Sequence, residues 1–264
     1  MATAKPSPTS PPDVRHAGAL PQHVAVIMDG NGRWARARNL PRLAGHRAGT
    51  EALRRLIEAC VELGIPYLTI YAFSTENWKR PAHEVRGLMI LLEEVIERQL
   101  DSLDREGVRI RHIGWLDDVP AHLARAIQGA VARTAANDRL VLNVAFNYGA
   151  RTEIVRAVRR IVASGVPVEA IDEALIDRHL ETAGLPDPDL VIRTSGEMRL
   201  SNFLLWQAAY AEIYCTETLW PDFGRDELLA ALRDYASRER RFGVLPERDA
   251  AGTTVPAVPV GGVG

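Results

Sequence analysis

Cysteine is scarce in this sequence of 264 residues, because Cys60 and Cys215 stand far apart and each lies in an apolar segment. Two isolated cysteines form neither a zinc-binding pattern nor a disulfide framework, so a reducing compartment is expected. An excess of either charge is also absent, because 32 basic and 34 acidic residues leave a net charge of -2. Without a basic field, we expect no nucleic-acid partner.

Long apolar runs are missing too. No stretch approaches the length of a membrane span, and residues 1–12 lack the apolar centre of a signal peptide. We therefore expect a cytoplasmic protein. Residues 1–20 are rich in Pro, Ser and Thr and are predicted to form a disordered tail, and residues 244–264 a loose one. Residues 21–243 remain for one globular domain.

Four common catalytic motifs do not occur. There is no G-x-x-x-x-G-K-[ST], which excludes a P-loop NTPase, and no G-x-G-x-x-G after a strand, which leaves dinucleotide binding unsupported. H-E-x-x-H and G-x-S-x-G are also missing, which removes the common zinc protease and serine hydrolase patterns. Any chemistry must therefore rest on another set of residues.

What the sequence does contain is an alternation of strands and helices. Short apolar runs rich in β-branched residues predict six strands, and amphipathic segments predict helices between them. This alternation indicates an α/β fold with a single parallel six-stranded sheet flanked by helices on both faces. The strands are predicted at residues 24–28, 67–73, 108–113, 140–146, 190–193 and 213–216. The helices are predicted to begin near Gly49 and end at Gly64, and then to span 81–107, 121–136, 154–162, 171–180 and 227–235.

The stretch from His23 to Trp34 carries the first chemical signal. Its strand ends on one carboxylate, Asp29, followed by a Gly-Asn-Gly turn and by Arg33. A flexible turn whose N–H groups face one point, beside an acid and a cation, suits a metal and an anion. A tight turn with a solvated aspartate explains the same residues, and this stretch alone leaves both interpretations open.

Arginines recur where the predicted strands end. Ligands of parallel sheets bind beyond the carboxyl ends of the strands, so residues on these loops converge. Arginine makes bidentate contacts with phosphate, and five arginines beside Asp29 suggest two phosphate-bearing ligands with a magnesium ion. Glu212 is a candidate second carboxylate and His46 a candidate catalyst, although a solvated carboxylate and a hydrogen-bonded loop histidine also explain them. The arginines, all predicted on loops, are Arg33, Arg42, Arg80, Arg193 and Arg199.

Apolar side chains accompany these cations. The predicted helix at 81–107 is longer than a crossover needs, and it either covers the sheet or a partner subunit or forms one wall of an apolar groove. Aromatic residues near the polar loops are ordinary core, or they indicate a ligand with a phosphate head and an apolar body. They are Phe73, Trp78, Phe146, Trp206 and Tyr210.

Five separated blocks match one family in order. They are H-V-A-V-I-M-D-G-N-G-R-W-A from His23, G-H-R-A-G around His46, Y-A-F-S-T-E-N-W-K-R-P from Tyr71, N-Y-G-A-R from Asn147, and D-L-V-I-R-T-S-G-E-M-R-L-S-N-F-L-L-W-Q-A-A-Y-A-E from Asp189. The sequence thereby resembles the cis-prenyltransferases, the Z-type isoprenyl diphosphate synthases that include undecaprenyl diphosphate synthase. The resemblance implies that residues 21–243 form a catalytic domain with a hydrophobic tunnel between the sheet and long helices. The D-D-x-x-D motif of the all-trans synthases is absent.

The resemblance also implies a reaction and roles. An allylic diphosphate (farnesyl or geranyl) would lose diphosphate with the help of Mg²⁺ while isopentenyl diphosphate attacks, and loss of a proton would leave a cis double bond. Asp29 would be the essential acid and a metal ligand, Glu212 would complete the metal site, and Asn77 matches the proton acceptor. Positioning water or a phosphate oxygen is chemically easier for an amide. The allylic diphosphate would bind Gly30, Asn31, Gly32, Arg33, Trp34, Arg42 and His46; the substrate loop would be Ser74, Thr75, Glu76, Trp78 and Arg80; and isopentenyl diphosphate would bind Arg193, Arg199, Leu200 and Ser201.

Assembly and product length follow from the same resemblance. Arg241, Phe242 and Gly243 match an R-x-G segment that reaches the partner's site in a homodimer, and peripheral membrane contact would serve product release. A long-chain Z-polyprenyl diphosphate, a cell-wall lipid carrier, is expected. Phe146 and Trp115 are large, however, and as tunnel plugs they would give a short or medium chain. A head-to-middle or cyclising variant, or a non-catalytic binding subunit, are the further alternatives.

Overall fold

The computed structural model describes residues 20–238, which hold one sheet of six parallel strands in the order β3-β4-β2-β1-β5-β6. The predicted sheet is confirmed, and all six predicted strands lie within two residues of the observed bounds at both ends. The strands are β1 (His23–Ile27), β2 (Tyr67–Ser74), β3 (Val108–Ile113), β4 (Leu140–Tyr148), β5 (Leu190–Arg193) and β6 (Glu212–Cys215). The predicted tails lie largely outside the described residues, and Arg241, Phe242 and Gly243 lie wholly outside them.

Seven α-helices connect these strands within the described part of the chain. They are α1 (Asn31–Ala37), α2 (Arg42–Leu63), α3 (Ala82–Arg105), α4 (Ala121–Arg133), α5 (Ala150–Ala163), α6 (Glu173–His179) and α7 (Arg225–Ser237). Short 3-10 helices occupy Thr75–Lys79, Val168–Ala170 and Trp220–Asp222. None of the helices in residues 20–238 has the length and apolar character needed to span a bilayer.

Two helices differ from the sequence-based expectation. The residues after Asp29 do not form an extended turn, because α1 begins at Asn31, and α2 begins at Arg42 instead of near Gly49. Arg33 and Arg42 therefore lie on helices and not on loops. The start of α2 is rich in glycine, which lowers helix propensity, so the sequence pattern does not predict a helix there.

The glycines at the start of α2 are needed for packing. A Cβ atom on Gly45 would overlap the backbone oxygen of Asn31, and one on Gly49 would overlap its side-chain oxygen. The two helices approach closely only because both positions lack a side chain. This close contact places the beginning of α1 directly against the first turns of α2.

Each face of the sheet carries its own core. Along β1, Val24 and Val26 face the layer built by α2 and α7, whereas Ala25 and Ile27 face the layer that includes Phe203. This alternation is the two-residue period of a strand that is buried on both faces. Helices α3 and α4 continue the first layer over β2 and β4. The expected covering of both faces is thus observed.

An apolar cavity of about 210 Å³ lies between the sheet and helices α2, α3 and α4. Its lining begins at Asn31 and His46 near the carboxyl ends of the strands and continues to Leu103 and Ile110. Along α3, the lining residues from Leu88 to Leu103 span about 22 Å at 1.5 Å per residue. The long helix predicted at residues 81–107 therefore forms one wall of an apolar groove, as one of its two interpretations proposed.

The two large residues predicted to block this cavity lie in different places. Phe146 lines the cavity, 5.4 Å from Phe73 between ring centroids. Trp115 does not line it; instead it stacks on Tyr148 at 6.3 Å, and Arg156 covers its ring. Tyr148 belongs to the core of the opposite face. The prediction that Trp115 plugs the tunnel is therefore wrong, because the turn at Gly114 (φ +125°) directs the indole away.

We predict that Gly45→Ala lowers the free energy of unfolding by about 1–3 kcal/mol, because the new methyl group overlaps the backbone of α1. Urea unfolding monitored by circular dichroism measures the change. Gly129→Ala in α4 is the matched control, because a Cβ there meets no atom within 4 Å. Equal midpoints for the two variants would contradict the packing account.

Candidate functional site

Asp29 lies where the carboxyl ends of β1 and β5 meet. Its backbone N–H donates to the hydroxyl of Thr194 at 2.9 Å, and that hydroxyl lies 2.6 Å from the Asp29 carbonyl oxygen. The N–H of Trp220 donates to the same carbonyl at 3.0 Å. Two segments distant in sequence therefore fix the backbone of Asp29, and its half-exposed carboxylate faces the crevice above the sheet.

Arg193 joins this carboxylate to the next loop. Its guanidinium is 5% exposed and donates to Oδ2 of Asp29 at 2.9 Å. The other terminal nitrogen donates to the hydroxyl of Ser201 at 2.7 Å and to the carbonyl oxygen of Arg199. A buried cation needs such partners. One side chain thus connects the predicted metal ligand with the predicted isopentenyl diphosphate site.

The start of α1 closes one side of Asp29. Gly30 has φ 109°, a left-handed conformation that favours glycine, and its N–H donates to Oδ1 of Asp29 at 2.7 Å. Arg33 on α1 pairs with Asp29 at 3.9 Å and with Glu197 at 3.6 Å. The side-chain oxygen of Asn31 is buried, lines the cavity and has no hydrogen-bond partner among residues 20–238. This edge of the site therefore combines a buried side-chain oxygen that accepts no hydrogen bond in the described structure with a positively charged side chain.

A second group of cations lies at the first turns of α2 and α3. Arg42 lies against Gly32, where a Cβ would be 3.2 Å from its Nε atom. Glu84 accepts a hydrogen bond from Arg80 at 3.1 Å and forms an ion pair with Arg42, whose Nε atom lies 3.2 Å away. His46, one turn after Arg42, lines the cavity, and its buried Nε2 atom lacks a partner in the described structure. Positive charge and a neutral imidazole therefore surround the mouth of the cavity.

The segment after β2 is folded and not an extended loop. Thr75–Lys79 form a 3-10 helix that Ser74 caps, and the side-chain oxygen of Asn77 accepts from the N–H of Ser74 at 3.1 Å. The indole of Trp78 donates to Asn147 at 2.7 Å. Because the oxygen of Asn77 is already engaged, this amide is a capping group in the structure, which fits a positioning role better than that of a base.

The segment from residue 195 to 204 has an unusual backbone. Ser195, Ser201, Asn202 and Leu204 all have positive φ angles, which non-glycine residues rarely adopt. Such strained conformations cluster at binding sites when the surroundings enforce them. The segment is held by Arg193 on one side and by Asn202 on the other, whose amide donates to Glu76 at 2.8 Å.

Three further predicted binding residues, two in this segment and one after β2, differ in their contacts. Arg199 has a side chain that is 60% exposed and pairs with Glu197 at 2.5 Å. Leu200 packs against the apolar core of the face opposite the cavity. Thr75 donates to Glu76 at 3.3 Å. Arg199 is therefore available to an incoming anion, whereas the side chain of Leu200 supports the loop.

Two predicted site residues lie apart from Asp29. Glu212 begins β6, whose register places it level with Val24, so Asp29 is about 16 Å further along the strand direction. Glu212 instead pairs with Arg238 at 2.6 Å. Within one chain, the structure therefore does not bring Glu212 beside Asp29, as the prediction of a shared metal ion requires. Trp34 donates to Asp222 at 2.7 Å and stacks on Arg38, and these contacts fix α1 to the Trp220–Asp222 segment.

Sequence reasoning missed several residues that complete the site. Ser195 and Glu197 lay inside a matched block without an assigned role, and both contact Arg33. Asn202 lay in the middle of the same block. Glu84 had no signal beyond that of an acid in the first turn of a helix. Only the structure shows that it contacts two arginines.

The donor set suits a magnesium ion with a diphosphate. Mg²⁺ is commonly held by one or two carboxylates and by phosphate oxygens, and Asp29 offers a half-exposed carboxylate between two groups of arginines. Glu197 is the second carboxylate on this edge, since it shares the guanidinium of Arg33 with Asp29. No cluster of three or more acidic, histidine or cysteine ligands occurs in residues 20–238, so the protein would need substrate oxygens to complete the coordination.

Comparison with protein families gives one match over most of the chain. Residues 27–243 match the family model described as putative undecaprenyl diphosphate synthase. An isoprenyl transferase of Heliobacterium mobile is 59% identical over 228 residues, covering 85% of this chain and 88% of that protein. The isoprenyl transferase of Bacillus subtilis (strain 168) is 52% identical over 230 residues, covering 86% of this chain and 88% of the relative.

Solved structures give the same result. The chain is similar to lavandulyl diphosphate synthase from Lavandula x intermedia in complex with dimethylallyl diphosphate, with a TM-score of 0.83 and 39% identity over 85% of this chain and 98% of that one. It is also similar to a probable undecaprenyl diphosphate synthase from Campylobacter jejuni, with a TM-score of 0.72 and 36% identity over 85% and 99% of the two chains.

We predict that His46 is neutral throughout the physiological range. Burial, together with the charges of Arg80 and Arg42, lowers its pKa from 6.5 to about 4. Between these two values the unfolded chain binds the proton more readily, so this residue weakens the fold as the pH falls from 6.5 towards 4. An NMR titration of the imidazole measures the pKa.

Arg80→Gln tests the cause of this shift. Removing that charge should raise the pKa of His46, yet leave it below 6.5 because burial is the largest contribution. An unshifted pKa in the variant would show that Arg80 does not act on His46. A midpoint at the ordinary histidine value in the unaltered protein would contradict the buried environment itself.

Proposed function

Because this chain belongs to the undecaprenyl diphosphate synthase family of prenyl transferases, we propose that it condenses isopentenyl diphosphate with an allylic diphosphate, repeatedly and in cis, to give a Z-polyprenyl diphosphate. The chain is thus a prenyl transferase enzyme, and its substrates are isoprenoid diphosphates. The proposal concerns the metal, the residue roles and the length of the product.

One observation carries the proposal: Asp29 lies between two groups of cations at the mouth of an apolar cavity. Arg193 contacts it from the β5 side, and Arg42 lies against Gly32 at the start of α1 on the other. An allylic diphosphate whose head is held near Arg42 and His46 can extend its hydrocarbon into the cavity. A second diphosphate then fits beside Arg193, Arg199 and Ser201.

The chemistry follows from the placement of charge. In the condensation, the bond between C1 of the allyl group and its diphosphate oxygen breaks while a new carbon–carbon bond forms. Negative charge develops on the leaving diphosphate, and fixed arginines stabilise it more in the transition state than in the ground state. The apolar cavity excludes water that would otherwise capture the electrophilic carbon. Asn77 would position the group that accepts the proton.

Magnesium would bind at Asp29 together with diphosphate oxygens and would supply further positive charge at the leaving group. Glu197 is the neighbouring carboxylate that can support it, since both acids face the same guanidinium. Glu212 is not part of this arrangement within one chain. A role for Arg241, Phe242 and Gly243 in a partner's site remains part of the proposal, as do a homodimer, a cytoplasmic location and peripheral membrane contact.

The depth of the cavity favours a long product. Phe146 lies along the wall and not at its end, because the lining continues beyond it to Leu142 and to Leu103. The deepest lining residues lie near the amino-terminal ends of β3 and β4, so several isoprene units fit along α3. Ala72, exposed towards this space, leaves further room. We therefore propose repeated additions over the short-chain alternative.

Incubation of the pure protein with farnesyl diphosphate, labelled isopentenyl diphosphate and Mg²⁺ tests the function. We predict a series of elongated products, and a loss of at least about 100-fold in kcat for Asp29→Ala, in which the metal ligand is gone. A variant as active as the unaltered protein would contradict the role of Asp29. Formation of a single or double addition product alone would refute the long-chain proposal.

Two further reactions are separated by the same assay. Product from dimethylallyl diphosphate alone would indicate that two allylic units are joined; this substrate is chosen because the similar lavandulyl diphosphate synthase was solved in complex with it. Substrate binding without any product, with and without Mg²⁺, would indicate a non-catalytic binding subunit instead. The retained cluster of Asp29, Arg193 and Arg42 argues against the latter.

We predict that Phe146→Ala shifts the products towards longer chains, because the ring narrows the cavity. Thin-layer separation of the dephosphorylated products measures the shift. Phe146→Leu is measured as well, because Phe→Ala leaves a large cavity that typically lowers the free energy of unfolding by about 3–5 kcal/mol. Trp115→Phe is the control outside the cavity and should leave the distribution unchanged. Identical products from both Phe146 variants and the unaltered protein would contradict the narrowing.

A further inference from the structure

Glu84 holds together two cations that come from different elements. It lies in the first turn of α3, and one oxygen atom of its carboxylate lies 3.2 Å from Nε of Arg42 and 3.1 Å from Nη1 of Arg80. Arg42 is the first residue of α2, and Arg80 directly follows the 3-10 helix Thr75–Lys79. This single carboxylate therefore links three segments at the mouth of the cavity.

The electrostatics require such a link. Two guanidinium groups within reach of the same oxygen repel each other, and Arg80 is only 29% exposed. Burial and the charge of Arg42 both lower the pKa of Arg80, whereas Glu84 raises it. The Glu84 side chain is itself 12% exposed and Arg42 is 58% exposed, so water screens the contact with Arg80 less than the contact with Arg42. Without the carboxylate, the two arginines would separate.

The contacts leave the arginines able to bind an anion. Glu84 engages Arg42 through Nε and Arg80 through Nη1, and each guanidinium retains further N–H donors. A diphosphate needs several donors held at a fixed separation, which is where bidentate arginine contacts gain their strength. The acid thus orients both side chains and leaves other donors of each free for a ligand.

We propose that Glu84 is a positioning residue that aligns Arg42 and Arg80 as one diphosphate-binding unit for the allylic substrate. The inference rests on the proposed function, because it assigns that substrate to this end of the site. An acid in the first turn of α3 also favours the helix through its dipole. That role alone would affect stability and not the affinity for one substrate.

Kinetics of Glu84→Ala and Glu84→Gln test the proposal. With farnesyl diphosphate varied, we expect KM to rise on the order of 10- to 100-fold in Glu84→Ala, since misplaced binding groups cost that much. The KM for isopentenyl diphosphate should stay the same. Glu84→Asp should recover part of the loss. Binding of inorganic pyrophosphate, measured by calorimetry, should weaken in parallel in Glu84→Ala.

The control is another ion pair between the same two helices. Glu94 of α3 pairs with Arg47 of α2 at 3.8 Å, is more exposed, and contacts neither Arg42 nor Arg80 in the described structure. Glu94→Gln should match the unaltered protein in KM and in thermal midpoint. Should Glu84→Ala fail to fold, Glu84→Gln keeps the shape of the side chain and permits the same comparison.

Three outcomes would overturn the proposal. Tighter pyrophosphate binding in Glu84→Ala would mean that the acid competes with the ligand for the arginines. Equal rises in KM for both substrates, with a lower thermal midpoint, would reduce Glu84 to a structural role. Unchanged kinetics in Glu84→Ala would show that Glu84 has no role in substrate binding. Absence of product from the unaltered protein would instead refute the proposed function, while the pyrophosphate arm would still test Glu84.

Discussion

The ion pair between Arg193 and Asp29 is the contact on which the site depends. A guanidinium that is 5% exposed is costly to bury without partners, and its partners come from the end of β1 and from the segment around Ser201. Removing the carboxylate would leave a buried guanidinium with one partner fewer. The same bond therefore aligns two loops and fixes the distance between two anion-binding regions. Sheet topology makes this possible, because β1 and β5 are neighbours although they are distant in sequence.

Charge and apolar surface are separated along one direction of the molecule. The carboxyl ends of the strands carry the cations, whereas the space beneath, between the sheet and α3, is apolar for about 22 Å. A ligand with a charged head and a hydrocarbon chain satisfies both regions at once. Growth by addition at the head then moves the chain deeper along α3. The burial of His46, beside Arg42 and Arg80, keeps it neutral where the two regions meet.

Sequence reasoning recovered the sheet because strands buried on both faces are continuous apolar runs. It placed Asp29 and Arg193 together because ligands of parallel sheets bind at the carboxyl ends of strands. It failed where tertiary contact overrides local preference. The glycines at the start of α2 have low helix propensity, so the sequence did not predict this part of the helix, which packs closely against α1. Glu212 was misplaced because it is the first residue of β6 and so lies at the amino-terminal ends of the strands, away from the carboxyl ends that carry Asp29. Glu84 and the direction of Trp115 depend on contacts that no local pattern records.

The central claim is that Asp29 lies between two separate diphosphate sites. A crystal structure of the protein with Mg²⁺, a thio analogue of farnesyl diphosphate that resists cleavage, and isopentenyl diphosphate tests it most directly. The account predicts one diphosphate beside Arg42 and the start of α1, the other beside Arg193 and Ser201, with Asp29 between them and the hydrocarbon chain along α3. Both diphosphates on the same side of Asp29, or a hydrocarbon chain outside the cavity, would contradict it.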